Sequence, residues 1–253
     1  MSDLFDVAGR TALVTGGSRG IGFMVARGLV DAGAEVVISA RKAEQCEAAA
    51  AELGCAAIRA DVSTKAGADA LAAAVAERFP ALDILVNNAG ATWGAPIEDF
   101  PEEGFDKVLD TNVKGPFFLT SALLPQLRAV AAPPARVINI GSVDGIRVPL
   151  LESYPYSASK AAIHQLTRHL AKRLAGEQIT VNAIAPGPFP SKMMAFLLDD
   201  PERAQGVADS VPLGRVGEPD DVAGTVRFLC SRAGAYVTGV VLPLDGGITA
   251  AAS

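Results

Sequence analysis

Short apolar runs alternate along this chain with longer stretches of helical character. Arg10 to Thr15, Glu35 to Ser39, a third run reaching Ala60, Asp83 to Val86, Arg136 to Ile140, Ile179 to Ala185 and Val237 to Leu244 are mostly apolar and too short for a helix. They are predicted to be buried strands. Helices are predicted from the glycine-rich segment after the first strand to Ala32, and through an alanine-rich stretch to Leu53, where Gly54 stops it. Others run to about Phe79 before Pro80, on both sides of Asn112, to about Ala175, and from about Pro219 to Cys230. Strand and helix alternate throughout. That pattern predicts an α/β fold: one doubly wound parallel sheet of about seven strands with helices on both faces. No linker or low-complexity tract divides the chain, so residues 1–253 are expected to form a single domain.

Composition narrows the class without changing the picture. With 253 residues and 50% of them hydrophobic, the chain buries a full core without staples. A formal net charge of -6 argues against nucleic acid or an anionic membrane as partner. Cys46, Cys55 and Cys230 are odd in number and lack metal-ligand spacing, which fits reduced thiols in a cytoplasmic protein. His164 and His169 share no helix face well, so no metal site is expected. No basic segment leads into an apolar run at the start, and no apolar stretch has the length of a membrane span.

In open α/β sheets ligands bind outside the carboxyl ends of the strands. Those ends carry the unusual polar residues of this chain: the glycine segment Gly16 to Gly22, Asp61, Asn87 and Asn88, Ser142, and Pro186-Gly187. The glycine spacing is Gly16-x-x-x-Gly20-x-Gly22, between the first strand and a helix, where bare backbone and a helix N-terminus face a pyrophosphate. The second strand ends in Ser39-Ala40-Arg41-Lys42 with no acid to hold a ribose 2′-hydroxyl. Arg41, with Arg19 in the glycine segment as a second cation, favours a 2′-phosphate and hence NADP(H) over NAD(H). Arg41 also fits the solvated start of a helix.

Tyr156 and Lys160 lie four residues apart near the start of the long helix, one turn apart on one face. Bringing a phenol from a pKa of about 10 to about 7–8 takes roughly 3–4 kcal/mol, and one cation at ~4 Å supplies about that at an effective dielectric of ~20. The pair is therefore expected to exchange a proton near neutral pH in a partly closed site. By itself it fits an exposed lysine beside a half-buried tyrosine better, and the rest of the chain tips the balance.

Taken together, Thr15-Gly16-x-x-x-Gly20-x-Gly22, Asn87-Asn88-Ala89-Gly90, Asn112, Ser142, Tyr156-x-x-x-Lys160 and Pro186-Gly187 resemble the short-chain dehydrogenase/reductase family, in its order and over essentially the whole chain. The resemblance implies a Rossmann-like domain, often a homotetramer or homodimer. It implies Tyr156 as proton donor or acceptor and Lys160 as the group that lowers its pKa and bonds the nicotinamide ribose. Ser142 would hold the substrate oxygen, and Asn112 would anchor a water-linked relay to Lys160. It further implies cofactor contacts from Gly16, Ser18, Arg19, Gly20, Ile21, Gly22, Arg41, Asp61, Val62, Asn88, Ala89, Gly90, Tyr156, Lys160, Pro186 and Gly187. Ser191 stands near the family's carboxamide-binding threonine, though Pro188 and Pro190 stiffen that segment.

Within the family the chain is most similar to NADPH-dependent 3-oxoacyl thioester reductases of the rhamnolipid-associated type, which implies an acyl-carrier-protein or CoA thioester as substrate. Sugar, polyol or steroid alcohol dehydrogenation is the alternative, and a silent nucleotide-binding regulator is disfavoured by retention of Asn112, Ser142, Tyr156 and Lys160. Residues 188–212 bear Met193, Met194, Phe196, Leu197 and Leu198, which suit either a mobile lid over an acyl chain or packing on the body. Trp93 either walls the substrate pocket or covers the core. Arg147 and Lys192 either meet an acidic carrier or are solvated.

Overall fold

Seven parallel strands form one sheet in the order β3-β2-β1-β4-β5-β6-β7 in the computed structural model, which describes residues 4–131, 134–149, 151–191, 194 and 199–251. They are β1 Thr11–Thr15, β2 Glu35–Ala40, β3 Ala56–Arg59, β4 Ile84–Asn87, β5 Ala135–Ile140, β6 Ile179–Pro186 and β7 Val241–Leu244. The order reverses between β1 and β4, which opens a crevice above their carboxyl ends.

The inner strands β1, β2, β4, β5 and β6 are largely buried because both of their faces are covered. Ala12, Val14, Val36, Ile38, Ile84, Val86, Ile138 and Ile140 point into one core, under α1 Gly20–Asp31, α2 Ala43–Leu53 and α9 Pro219–Cys230. The alternate residues Leu13, Val37, Leu85, Val137 and Val181 point into the other, under α3 Lys65–Arg78, α5 Gly115–Ala122, α6 Leu124–Arg128 and α7 Tyr154–Leu174. The period-2 alternation of side chains thus builds two cores from one apolar run. Gly28 of α1 lies against Ala223 of α9, an approach that a side chain at 28 would prevent.

Two elements differ from the sequence expectation. The last strand begins at Val241 rather than Val237, because Gly239 has φ +77° and Asn182 of β6 takes over the pairing: its amide donates to the Val237 carbonyl (2.8 Å) and accepts from Val240 N–H (3.2 Å). The helices flanking Asn112, α4 Glu102–Leu109 and α5, are continuous through a π turn, Asp110–Lys114, that contains it. Such bulges frequently mark functional sites. In the 188–212 segment, Phe189 is buried against Gly217 and α8 Pro201–Asp209 buries no side chain. Lys192, Met193, Phe196, Leu197 and Leu198 lie outside the described residues. No helix among the described residues is long and apolar enough to cross a membrane.

Candidate active site

A crevice of about 410 Å³ runs over the carboxyl ends of β1, β2, β3 and β4. Of the residues expected to hold a cofactor, Gly16, Ser18, Arg19, Arg41, Asp61, Val62, Ala89 and Gly90 line it. The sequence reading did not place Lys42, Gln45 or Thr111 at a cofactor; all three line the same crevice. Lys42 follows Arg41 at the β2 end, a visible signal, whereas Thr111 arrives only through the π turn.

The loop between β1 and α1 is bare because its surroundings forbid side chains. Gly16 has φ +65°, and a Cβ there would lie 2.8 Å from Asn88 Nδ2; Gly20 has φ +54°. A Cβ on Gly22 would run into Asn88 Nδ2 and the Gly16 carbonyl. Arg19 opens α1 without a capping side-chain bond, and the first turn holds no acidic residue. The leading N–H groups of the helix therefore face the loop with positive polarity, which fits a pyrophosphate. Arg19, Arg41 and Lys42 face the same space, against one carboxylate, Asp61. Burial works to raise the Asp61 carboxyl, but the Ser63 hydroxyl (2.7 Å) and amide (3.1 Å), with the nearby Arg41 guanidinium, hold it below the usual range. These residues fit a dinucleotide with an additional phosphate on its ribose.

Asn88 has a structural part of its own. Its amide donates to the Thr15 and Gly16 carbonyls (2.9 and 3.2 Å), while the N–H groups of Asn88 and Ala89 donate to the Thr15 hydroxyl (3.0 Å each). The Asn88 side chain is committed to fixing the glycine loop. Ile21 packs on the first core. Ser191 lies over the loop, with its Cβ 3.2 Å from where a Gly20 Cβ would stand. Pro186 ends β6, and Gly187 donates to the Leu244 carbonyl (2.9 Å) and abuts Asp245.

At the inner end of the crevice, Gly90 brings the remaining expected residues together: a Cβ there would lie 3.5 Å from Asn112 Oδ1 and 4.0 Å from Lys160 Nζ. Asn112 is buried. It accepts from Ala91 N–H (2.8 Å) and donates to the Ala91 carbonyl and the Ser159 hydroxyl (2.9 Å each), so its amide joins the β4 loop to α7. Ser142 caps the short turn Val143–Gly145, its Oγ accepting from Asp144 N–H (3.1 Å), and its hydroxyl is near enough to the Tyr156 phenol to favour the phenolate. Lys160, 6% exposed, donates from Nζ to the Ile140 carbonyl (2.8 Å) and lies 5.4 Å from the centre of the Tyr156 ring.

The electrostatics correct the expected tuning of the pair. Burial pushes the Tyr156 phenol up to about 12; the Ser142 hydroxyl draws it down, and the Asp144 carboxylate adds to the rise. Burial also pushes Lys160 down to about 8, against the pull of Asp144. The lysine does not lower the phenol because its Nζ is turned to the Ile140 carbonyl and desolvation weighs on both groups. In the free protein the phenol is a firmly held proton.

A sheet wound about a β1/β4 switch, with serine, tyrosine and lysine beside a cation-lined crevice, defines the short-chain dehydrogenase/reductases, and the chain belongs to that family of oxidoreductases; residues 16–249 match the family described as Enoyl-(Acyl carrier protein) reductase. It is 52% identical to the rhamnolipids biosynthesis 3-oxoacyl-[acyl-carrier-protein] reductase of Pseudomonas aeruginosa, over 98% of this chain and 99% of that protein. The solved Pseudomonas aeruginosa RhlG/NADP active-site complex superposes with a TM-score of 0.95 at 52% identity, covering 98% of this chain and 100% of that one. Similarity extends at 39% identity to the galactitol 2-dehydrogenase of Cereibacter sphaeroides, over 97% of both chains.

Proposed function

We propose that the chain is an NADP(H)-dependent reductase that converts the keto group of a 3-oxoacyl thioester, carried on an acyl carrier protein or CoA, to an alcohol. The observation that carries this reading is the meeting of Ser142, Tyr156 and Lys160 with Asn112 and Gly90 at the inner end of a crevice whose outer end presents Arg19 and Arg41. NADPH, when bound in the crevice, would supply the hydride for the carbonyl carbon. The Ser142 hydroxyl holds the carbonyl oxygen beside the phenol. Tyr156 then gives its proton to that oxygen as negative charge develops there. A phenol held near 12 keeps its proton at neutral pH and so stands in the form that reduction requires. Lys160 orients the Ser142 strand end through Ile140 and presents a positive charge beside the ring. Arg41 and Arg19, which line the crevice, would hold the 2′-phosphate as charge-assisted partners.

The thioester is supported by the 52% identity to a protein described as a 3-oxoacyl-[acyl-carrier-protein] reductase. Polyol oxidation is the second reading, supported by the 39% identity to a galactitol dehydrogenase. An NADPH-oxidation screen over 3-oxoacyl thioesters, keto-sugars, steroids and quinones separates them. The highest kcat/KM is expected for a 3-oxoacyl thioester; a keto-sugar turned over more efficiently than every thioester would replace the first reading with the second.

A further inference from the structure

Arg136 stands near the start of β5, at the end of the sheet opposite the crevice, and is 0% exposed. Alternate residues of a strand share a face, so it points with Ile138 and Ile140 to the side covered by α1 and α9. Its backbone N–H donates to the Asp83 carbonyl (2.8 Å), and its Nη2 donates to the Ser231 carbonyl just past α9 (3.0 Å). Nε and Nη1 meet no acceptor among the described residues. On the next strand, Thr180 of β6 is its register partner and shares a face with Ile184 on that same side. The Thr180 hydroxyl, in a residue 8% exposed, likewise has no partner among the described residues. Buried donors on two neighbouring strands thus stand side by side near the carbonyl end of α9.

The charge of Arg136 is no better matched than its donors. Burial and the Arg10 guanidinium hold its pKa down to about 10, which leaves it ionised at neutral pH. Asp83 is engaged elsewhere: its carboxylate accepts from the Thr11 N–H and hydroxyl (3.0 Å each) and pairs with Arg10 Nε (3.5 Å). Burial pushes the Cys230 thiol up to about 12, so that neighbour is neutral. The carbonyl end of α9 offers about half an elementary charge. A buried charge without a counter-charge is strongly destabilising, and water supplies hydrogen bonds without countering it. A small anion does both.

We infer that Arg136 Nε and Nη1 and the Thr180 hydroxyl hold a compact monovalent anion of the halide class, between β5, β6 and the end of α9. Phosphate carries more charge than one guanidinium balances, and the burial of both residues suits a small ion. The anion ties two strands to a helix and acts on stability. Its site lies at the opposite end of the strands from the crevice, so the inference stands apart from the reductase reading.

Urea unfolding of the full chain, with chloride replacing methanesulfonate at constant ionic strength, tests the inference together with crystals grown in bromide and measured at the bromine absorption edge. The unfolding midpoint should rise with the logarithm of chloride concentration, as for any ligand held by the folded state alone. An anomalous peak should lie within hydrogen-bond distance of Arg136 Nε or Nη1 and of Thr180 Oγ1. Thr180→Val, which keeps the shape and removes the hydroxyl, should need ~10-fold more chloride for the same shift. Arg136→Met should abolish the chloride response; should it not fold, Thr180→Val carries the comparison. A parent indifferent to chloride, a parental response in Thr180→Val, or density at the site with no anomalous signal overturns the inference. A bromide peak without any chloride dependence of stability marks an adventitious ion only and overturns it as well.

Discussion

At the scale of the residue, the cofactor preference rests on guanidinium placement. Arg41 shares the crevice with Asp61 and helps to hold that carboxylate ionised, so the pair also orients the arginine. Arg41→Ala should weaken NADPH binding by ~1–3 kcal/mol, the range for a charge-assisted bond, and leave NADH almost unchanged. Fluorescence titration with both cofactors measures this; equal losses would remove the phosphate role. Lys160 sets the second residue-level expectation. Its ammonium is held down to about 8 by burial, so kcat/KM for reduction, which reports groups of the free protein, should fall as pH rises through about 8. The phenol near 12 adds no limb below that. A profile level to pH 10 would contradict this. The sequence made the four-residue spacing of Tyr156 and Lys160 legible but not the sign of the phenol's shift. That sign depends on burial and on Nζ turning toward Ile140, and neither is a property of spacing.

At the scale of elements, α7 and β5 meet around the Ser142 turn, and a neutral His164 stabilises that contact. Its folded pKa of about 4 lies below the ordinary 6.5, so the folded state excludes a proton that the unfolded chain binds between those values. The resulting stability is fully present above pH 6.5 and is lost as pH falls toward 4, amounting to ~3 kcal/mol. Denaturant unfolding at pH 7 and at pH 4.5 should show a larger acid loss for the parent than for His164→Asn, which has nothing to titrate; equal losses would show that other groups dominate. The strand and helix pattern was readable because the inner strands are short apolar runs and several helices stop at glycine or proline, as at Gly33, Gly54 and Pro80. The shortened β7 was not, since Asn182 and Val237 are brought together only by the sheet. Asn88 was legible as a site residue but not as a brace, because its partners Thr15 and Gly16 lie on a different strand end. His164 offered a sequence no sign at all: its meaning comes from Gly141 and Gly145, which only the fold places against it.

At the scale of the whole molecule, the β1/β4 switch gathers strand ends from across the chain into one crevice, with phosphate-binding cations outside and the proton donor within. An overall charge of -6 makes that cationic mouth a local feature, suited to an anionic cofactor rather than to polyanions at large. The central claim is that this arrangement reduces a 3-oxoacyl thioester with Tyr156 as acid. NADPH oxidation in the presence of a 3-oxoacyl thioester, compared between the parent protein and Tyr156→Phe, tests it most directly. The parent should turn over, and the variant should lose ~100-fold to 10,000-fold in kcat while binding NADPH nearly as well. Turnover by Tyr156→Phe at the parental rate would contradict it.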